Sequence, residues 1–147
     1  MHNIFLDTDV AFDIISKREP HYIHSIQLLE LAASGKVKLF ISESCVSNLF
    51  YLSFDIYKIK DAAKKLSDFI EACELLIAGK KNALHALHSA FKDKENALQY
   101  YTALEAGLKY FLTRNTKDYK YGVGKLQIFT PIQFLNISRT ELDIPEF

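Results

Sequence analysis

The chain has 147 residues, 49% of them apolar and 24% charged, with 18 Lys and Arg balancing 18 Asp and Glu. Those values describe one folded domain, residues 1–147, and exclude both a disordered chain and a protein that holds long nucleic acid by global charge. Cys45 and Cys73 stand in unlike surroundings with no ligand spacing, which excludes a disulfide framework and a structural zinc site. No apolar stretch approaches the ~18 residues of a membrane span, and the N-terminus lacks the regions of a signal peptide, so a cytoplasmic protein away from the membrane is expected.

Ile4, Phe5 and Leu6 form a short apolar run that stops at Asp7, which predicts a buried strand. A helical pattern with Val10, Ile14 and Ile15 follows and breaks at Glu19-Pro20, because the residue before proline is driven out of the α region. Residues 23–34 are amphipathic, and Gly35 stands where a helix ends in a left-handed residue. Residues 37–41 predict a second strand. Ser42 or Ser44 then caps a helix carrying Val46, Leu49, Phe50 and Leu52.

Residues 59–73 predict a helix with Leu66, Phe69 and Ile70 inside and lysines outside. Leu75, Leu76 and Ile77 suggest a third strand. Residues 82–91 and 95–106 predict two helices, the second closed by Gly107. Residues 110–113 are a strong strand signal, and Ile128-Phe129 a last one. Thr130-Pro131 reads as N-cap and first position of a closing helix through Leu135. Short apolar strands alternating with helices predict an α/β fold, a three-layer α/β/α sandwich on a mostly parallel sheet of four or five strands.

Three polar clusters fall at the ends of these elements. Asp7-Thr8-Asp9 follows the first strand. Asp93, Glu95, Asn96 and Gln99 open a helix, with Glu95 and Gln99 on one face at i,i+4 and Asn96 and Gln99 neighbours at i,i+3. Thr113-Arg114-Asn115-Thr116-Lys117-Asp118 follows a later strand. Ligands of open α/β sheets bind outside the carboxyl ends of strands. Oxygen donors there suit Mg²⁺ or Mn²⁺, which activate water and clamp phosphoryl oxygens. Taken one at a time, each cluster is also an ordinary turn or helix start.

The order and spacing of these segments resemble the PIN domain of VapC-type toxins from bacterial toxin–antitoxin pairs. The resemblance runs from about Ile4 to Leu135. It is carried by Phe5-Leu6-Asp7-Thr8-Asp9-Val10-Ala11-Phe12-Asp13, by Ile41-Ser42-Glu43-Ser44 leading to Asn48-Leu49-Phe50-Tyr51-Leu52, and by Phe91-Lys92-Asp93-Lys94-Glu95-Asn96-Ala97-Leu98-Gln99. It ends with Leu112-Thr113-Arg114-Asn115-Thr116-Lys117-Asp118-Tyr119 and Thr130-Pro131-Ile132-Gln133-Phe134-Leu135.

The resemblance implies an endoribonuclease that holds Mg²⁺ or Mn²⁺ in an acidic cluster and pairs with an antitoxin. Asp7 matches the family's first-strand aspartate, the metal ligand. Asn48 falls where many members carry glutamate, Asn96 where they carry aspartate, and Asn115 where they carry an acid that Asp118 can supply instead. Asp9 stands where asparagine is more usual. Asp7, Asn48, Asn96, Asn115 and Asp118 are therefore expected in one cleft, with Glu95 and Asp93 at its rim and Asp7 and Asn96 as metal ligands. Neutral amides lower the charge of a cation site, so weakened activity is expected, with Glu95 or Asp93 compensating.

Two other readings stand beside this one. A PIN-like fold silenced by its asparagines would bind RNA or a protein without cutting. Asp7-Thr8-Asp9-Val10 also resembles the motif of haloacid-dehalogenase-like phosphatases, although no Asp-Asp pair exists in the chain and its length is short for them. His85 with His88, and His21 with His24, are spaced i,i+3 and are read as surface or packing residues. Lys58, Lys60, Lys64 and Lys65 are read as a solvated face. Tyr51, Tyr100 and Tyr101 are read as core or interface, with base stacking as the rival role. Leu49, Phe50, Tyr51, Leu52 and Phe54 make a helix apolar nearly all round, which points to burial or to a partner, either an antitoxin or a second copy.

Overall fold

Five short strands form one parallel sheet in the order β3-β2-β1-β4-β5. The computed structural model describes residues 1–122 and 124–140. The strands are β1 (His2–Leu6), β2 (Val37–Ser42), β3 (Cys73–Leu76), β4 (Tyr110–Leu112) and β5 (Gln127–Phe129). Strand β1 lies at the centre, with Ile4 beside Leu39 of β2 on one side and beside Tyr110 of β4 on the other. Alternate residues of each strand face opposite ways. Ile4, Leu6, Leu39, Ile41, Tyr110 and Leu112 point into one core, whereas Phe5 and Phe111 stack 5.0 Å apart in the other.

Helices cover both faces, which explains why the central strands are apolar throughout. Helices α1 (Thr8–Ser16), α2 (Tyr22–Ala33), α3 (Glu43–Phe50), α4 (Ala62–Glu71) and α7 (Pro131–Thr140) border the larger core. Helices α5 (Gly79–His88) and α6 (Lys94–Glu105) border the smaller one. The expected three-layer sandwich is therefore present, with a five-stranded, wholly parallel sheet.

The caps follow the side-chain chemistry. Asp7 accepts from the Thr8 amide, and Ser42, rather than Ser44, accepts from the Cys45 amide. Thr130 and Gln133 cap each other reciprocally at the start of α7, at 3.1 and 2.9 Å. Gly35 and Gly107 take positive φ just past α2 and α6.

Several boundaries differ from expectation. Helix α1 stops at Ser16, before Glu19-Pro20, because Lys17 takes a left-handed conformation. Helix α4 is shorter at both ends, since Asp61 is left-handed and Cys73 joins β3. Helix α7 runs past Leu135 to Thr140. After α3 the chain widens into a π-helical stretch, Tyr51–Ile56, which no spacing in the sequence announces.

Candidate active site

The sheet order reverses at β1: the chain builds β2 and β3 to one side, then returns to place β4 on the other. Parallel sheets open a crevice at such a switch point, outside the carboxyl ends of the two strands. Asp7 follows β1 there, and Thr113-Arg114-Asn115 follows β4. The Asp7 amide donates to Leu112 O at 2.9 Å, so the two strand ends are hydrogen-bonded at the rim.

Asp7 is buried, and its carboxylate accepts four hydrogen bonds. Oδ1 takes Thr8 N at 2.7 Å and Gln99 Nε2 at 2.9 Å, and Oδ2 takes the Thr113 and Tyr119 hydroxyls at 2.8 Å each. Gln99 comes from α6, so Asp7 ties that helix to the centre of the sheet. The Tyr119 phenol is held protonated, its pKa raised first by burial and then by the Asp7 charge. It acts here as a fixed donor.

Asp9 brings a second carboxylate to the same centre. Its Oδ2 accepts Arg114 N at 3.1 Å and Asn115 Nδ2 at 3.3 Å, while Oδ1 is buried with no hydrogen-bond partner. Gln99 Oε1 is likewise buried and unpartnered. Burial, reinforced by the neighbouring Asp7 charge and opposed by the Arg114 amide, raises the Asp9 carboxyl to about 7. Asp9 Oδ1 and Gln99 Oε1 are the open acceptors for a hard cation, and an Asp7 oxygen, each already taking two donors, would join them in place of one of those bonds. The set is lean: among the described residues, no three His, Cys, Asp or Glu side chains are grouped to hold a metal.

Of the other expected residues, Asn115 bonds to a carboxylate of this centre, and the rest make contacts of their own. Asn96 is half-buried in the first turn of α6, with its amide on Asp93 Oδ1 at 3.2 Å, one turn before Gln99. Asn48 of α3 donates through Nδ2 to Glu95 Oε1, which joins two of the expected residues. Asn115 reaches Asp9, not Asp7. Asp118 is exposed in the short 3₁₀ turn Thr116–Tyr119 and lines a neighbouring cleft with Asp93, Lys92, Lys117 and Lys120. Its neighbour Tyr119 is the residue that enters the centre.

Behind the site, Asp13 is fully buried and pairs with Arg114 Nε at 2.8 Å and Arg18 Nε at 3.6 Å. The nearer contact is an ion pair rather than an aligned hydrogen bond. Gln99, Thr113, Tyr119 and Asp13 complete the centre and were not singled out as site residues by the sequence reading. Gln99 carried a signal, its place on the face of Asn96, and Thr113 another, its place at a strand end. Tyr119 carried none. Burial pushes both cysteine thiols up to about 12, which disfavours their thiolate forms.

Residues 3–117 match the PIN domain family. The chain belongs to that family. This PIN domain is 26% identical over 121 residues to Ribonuclease VapC1 of Aquifex aeolicus (strain VF5), across 79% of this chain and 83% of that one. Its fold is similar to that in VapBC2 from Rickettsia felis bound to a promoter DNA fragment, with a TM-score of 0.67 at 18% identity over 87% and 98% of the two chains. It is equally similar to that in DNA-bound VapBC from Salmonella typhimurium, with a TM-score of 0.67 at 19% identity over 89% and 99%. In a PIN domain, the Asp7-Thr8-Asp9-Val10 stretch no longer points to a phosphatase.

The metal-free PIN domain should lose stability as pH rises. A carboxyl whose folded pKa lies above its unfolded value contributes stability that is full below 3.8 and is lost as pH rises through about 7. Asn at position 9 keeps an oxygen for the Arg114 amide and removes the charge. Asp9→Asn should therefore flatten the fall between about pH 4 and 7 and stabilise the protein at pH 7.5 by on the order of 2 kcal/mol. Thermal melts in EDTA across that range check this; parallel profiles for the two proteins would contradict the repulsion between Asp7 and Asp9.

Proposed function

We propose that this PIN domain is a cytoplasmic, metal-dependent endoribonuclease that hydrolyses RNA phosphodiester bonds and is restrained by a small antitoxin protein. The observation that carries this reading is the pair of carboxylates at the switch-point crevice, Asp7 buried and Asp9 half-buried, with Asp9 Oδ1 and Gln99 Oε1 unpartnered. Its relative from Aquifex aeolicus bears the name ribonuclease.

Asp7 and Asn96 would hold Mg²⁺ or Mn²⁺, with Asp9 Oδ1 and Gln99 Oε1 as the further acceptors at hand. The cation supplies a water of lowered pKa and neutralises charge on the scissile phosphate. The chain's own work is to fix its oxygens. Gln99, Thr113 and Tyr119 orient the Asp7 carboxylate, Asn48 orients Glu95, and Asn115 and the Arg114 amide orient Asp9. Glu95 and Asp118, both exposed, would complete the acidic surround that receives the RNA.

A second reading, a silent PIN domain that binds RNA or a partner, is favoured by the three amides Asn48, Asn96 and Asn115 and by the lean donor set. Cleavage of RNA in Mn²⁺ separates the two. Asn96→Asp adds one charge beside Gln99 and should tighten Mn²⁺ about tenfold, a gain of ~1.4 kcal/mol, with a matching rise in cleavage. Calorimetry and a cleavage assay on both proteins check this, and no change in either would remove position 96 from the site.

The partner reading rests on apolar surface. Phe50, Tyr51, Phe54, Ile56 and Tyr57 are each about half exposed along α3 and the π-helical stretch. An antitoxin, or a second copy of the chain, would cover them. Tyr100, in contrast, is buried and belongs to the core. Tyr51→Glu with Phe54→Glu should leave the fold intact and abolish co-purification with the antitoxin as well as any dimer. Retention of both complexes would move the interface elsewhere.

A further inference from the structure

We propose a binding subsite for a second RNA phosphate, formed by His21, His24 and Arg114 beside the start of α7; the inference rests on the ribonuclease reading above. A cavity of about 190 Å³ lies there, lined by His21, His24, Arg114, Thr130, Pro131 and Ile132. That is smaller than the ~300 Å³ at which pockets begin to hold a whole drug-sized ligand, so it suits one unit of a longer chain.

No carboxylate is among the lining residues. Three nitrogen-bearing side chains converge on the cavity from two elements that the sequence places about ninety residues apart, a convergence that surface or packing histidines do not need. Arg114 cannot swing away, because its Nε is pinned 2.8 Å from the buried Asp13, with 24% of the side chain left exposed. Asp13 also meets Arg18, so Arg114 shares its buried acid with a second guanidinium. The cavity also meets the first turn of α7, whose Ile132 amide has no acceptor within the helix. Pro131 and Ile132 give an apolar wall for the sugar.

The same residue links this cavity to the chemistry. The Arg114 amide lies 3.1 Å from Asp9 Oδ2, and the preceding Thr113 hydroxyl donates to Asp7. A strand whose scissile phosphate sits at Asp7 would therefore carry a neighbouring phosphate over Arg114 and into reach of the two imidazoles. Phosphate contacts of this kind hold register without reading sequence.

The test is binding of a fluorescein-labelled, mixed-sequence RNA 10-mer in EDTA, across about 50–200 mM KCl, to the intact protein and to the double variant His21→Gln, His24→Gln. The variant removes two hydrogen-bond donors to the phosphate and keeps the Arg114 charge, so affinity should fall across the whole salt range. Affinity at the low-salt end should fall about tenfold, and in Mn²⁺ the variant's KM should rise while kcat holds. If the parent binds RNA and the variant matches it in affinity across that range, the subsite is refuted and the ribonuclease reading stands. If the parent neither binds nor cuts RNA, both are refuted. A third arm uses a glutamate-rich peptide: loss of peptide binding with RNA binding unchanged would make the cavity a protein-docking site and overturn the proposal.

Discussion

Asp7→Asn should abolish RNA cleavage, by ~10²-fold or more, while leaving the protein folded. The activity loss follows from removing the buried carboxylate that would hold the cation. The survival of the fold follows from the bonding pattern. Two amide donors, Thr8 N and Gln99 Nε2, meet Oδ1, and two hydroxyls, Thr113 and Tyr119, meet Oδ2. An asparagine keeps its oxygen toward the amides and turns its nitrogen toward the hydroxyls, which rotate to accept. Charge-assisted bonds are lost, but repulsion with Asp9 is relieved. Cleavage in Mn²⁺ and a thermal melt on the same sample check both halves. Full cleavage by Asp7→Asn would end the nuclease reading, and an unfolded variant would show that the hydroxyls cannot reverse their roles.

Asp13→Ala should destabilise the protein by about 2–3 kcal/mol, which lowers the melting temperature by ~5–10 °C. Burial alone raises the Asp13 pKa, and Arg114, Arg18 and His21 offset that only in part. The buried pair is therefore no large net gain, yet removing the acid strands the Arg114 charge against a low-dielectric wall. Arg18 keeps other support, since its guanidinium lies 4.8 Å from the Phe12 ring centre and 5.6 Å from that of Tyr57. The double variant Asp13→Ala, Arg114→Met should recover most of the loss, and a cycle of the four proteins isolates the coupling. A single variant within ~0.5 kcal/mol of the parent would mean that water or a rearranged Arg114 already compensates.

Much of the site was legible because it sits at the ends of elements. Asp7, Asn96 and Asn115 were singled out by their places after a strand, in a helix's first turn and after a second strand. Such places are marked in the sequence because the apolar run that makes a buried strand must stop where the chain emerges. Gln99 and Thr113 were in the same clusters but were not assigned a role, since a neutral side chain announces no charge. Tyr119 and Asp13 were invisible as site residues. One looks like another aromatic and the other like the polar side of an amphipathic helix, and only packing turns them inward.

The layer architecture, the strands and the acidic character at their carboxyl ends are legible in the order of residues, because hydrophobic period and capping chemistry are local properties. Only the tertiary structure decided the strand order, with β1 central and the switch point between β1 and β4. That order brings Thr113 and Tyr119 onto Asp7 across more than a hundred residues, and Arg114 onto both Asp13 and the cavity of His21 and His24. It also decided that Asp9 becomes a partner in charge to Asp7. A carboxylate's role depends on what desolvates it, and burial is not written in its neighbours along the chain.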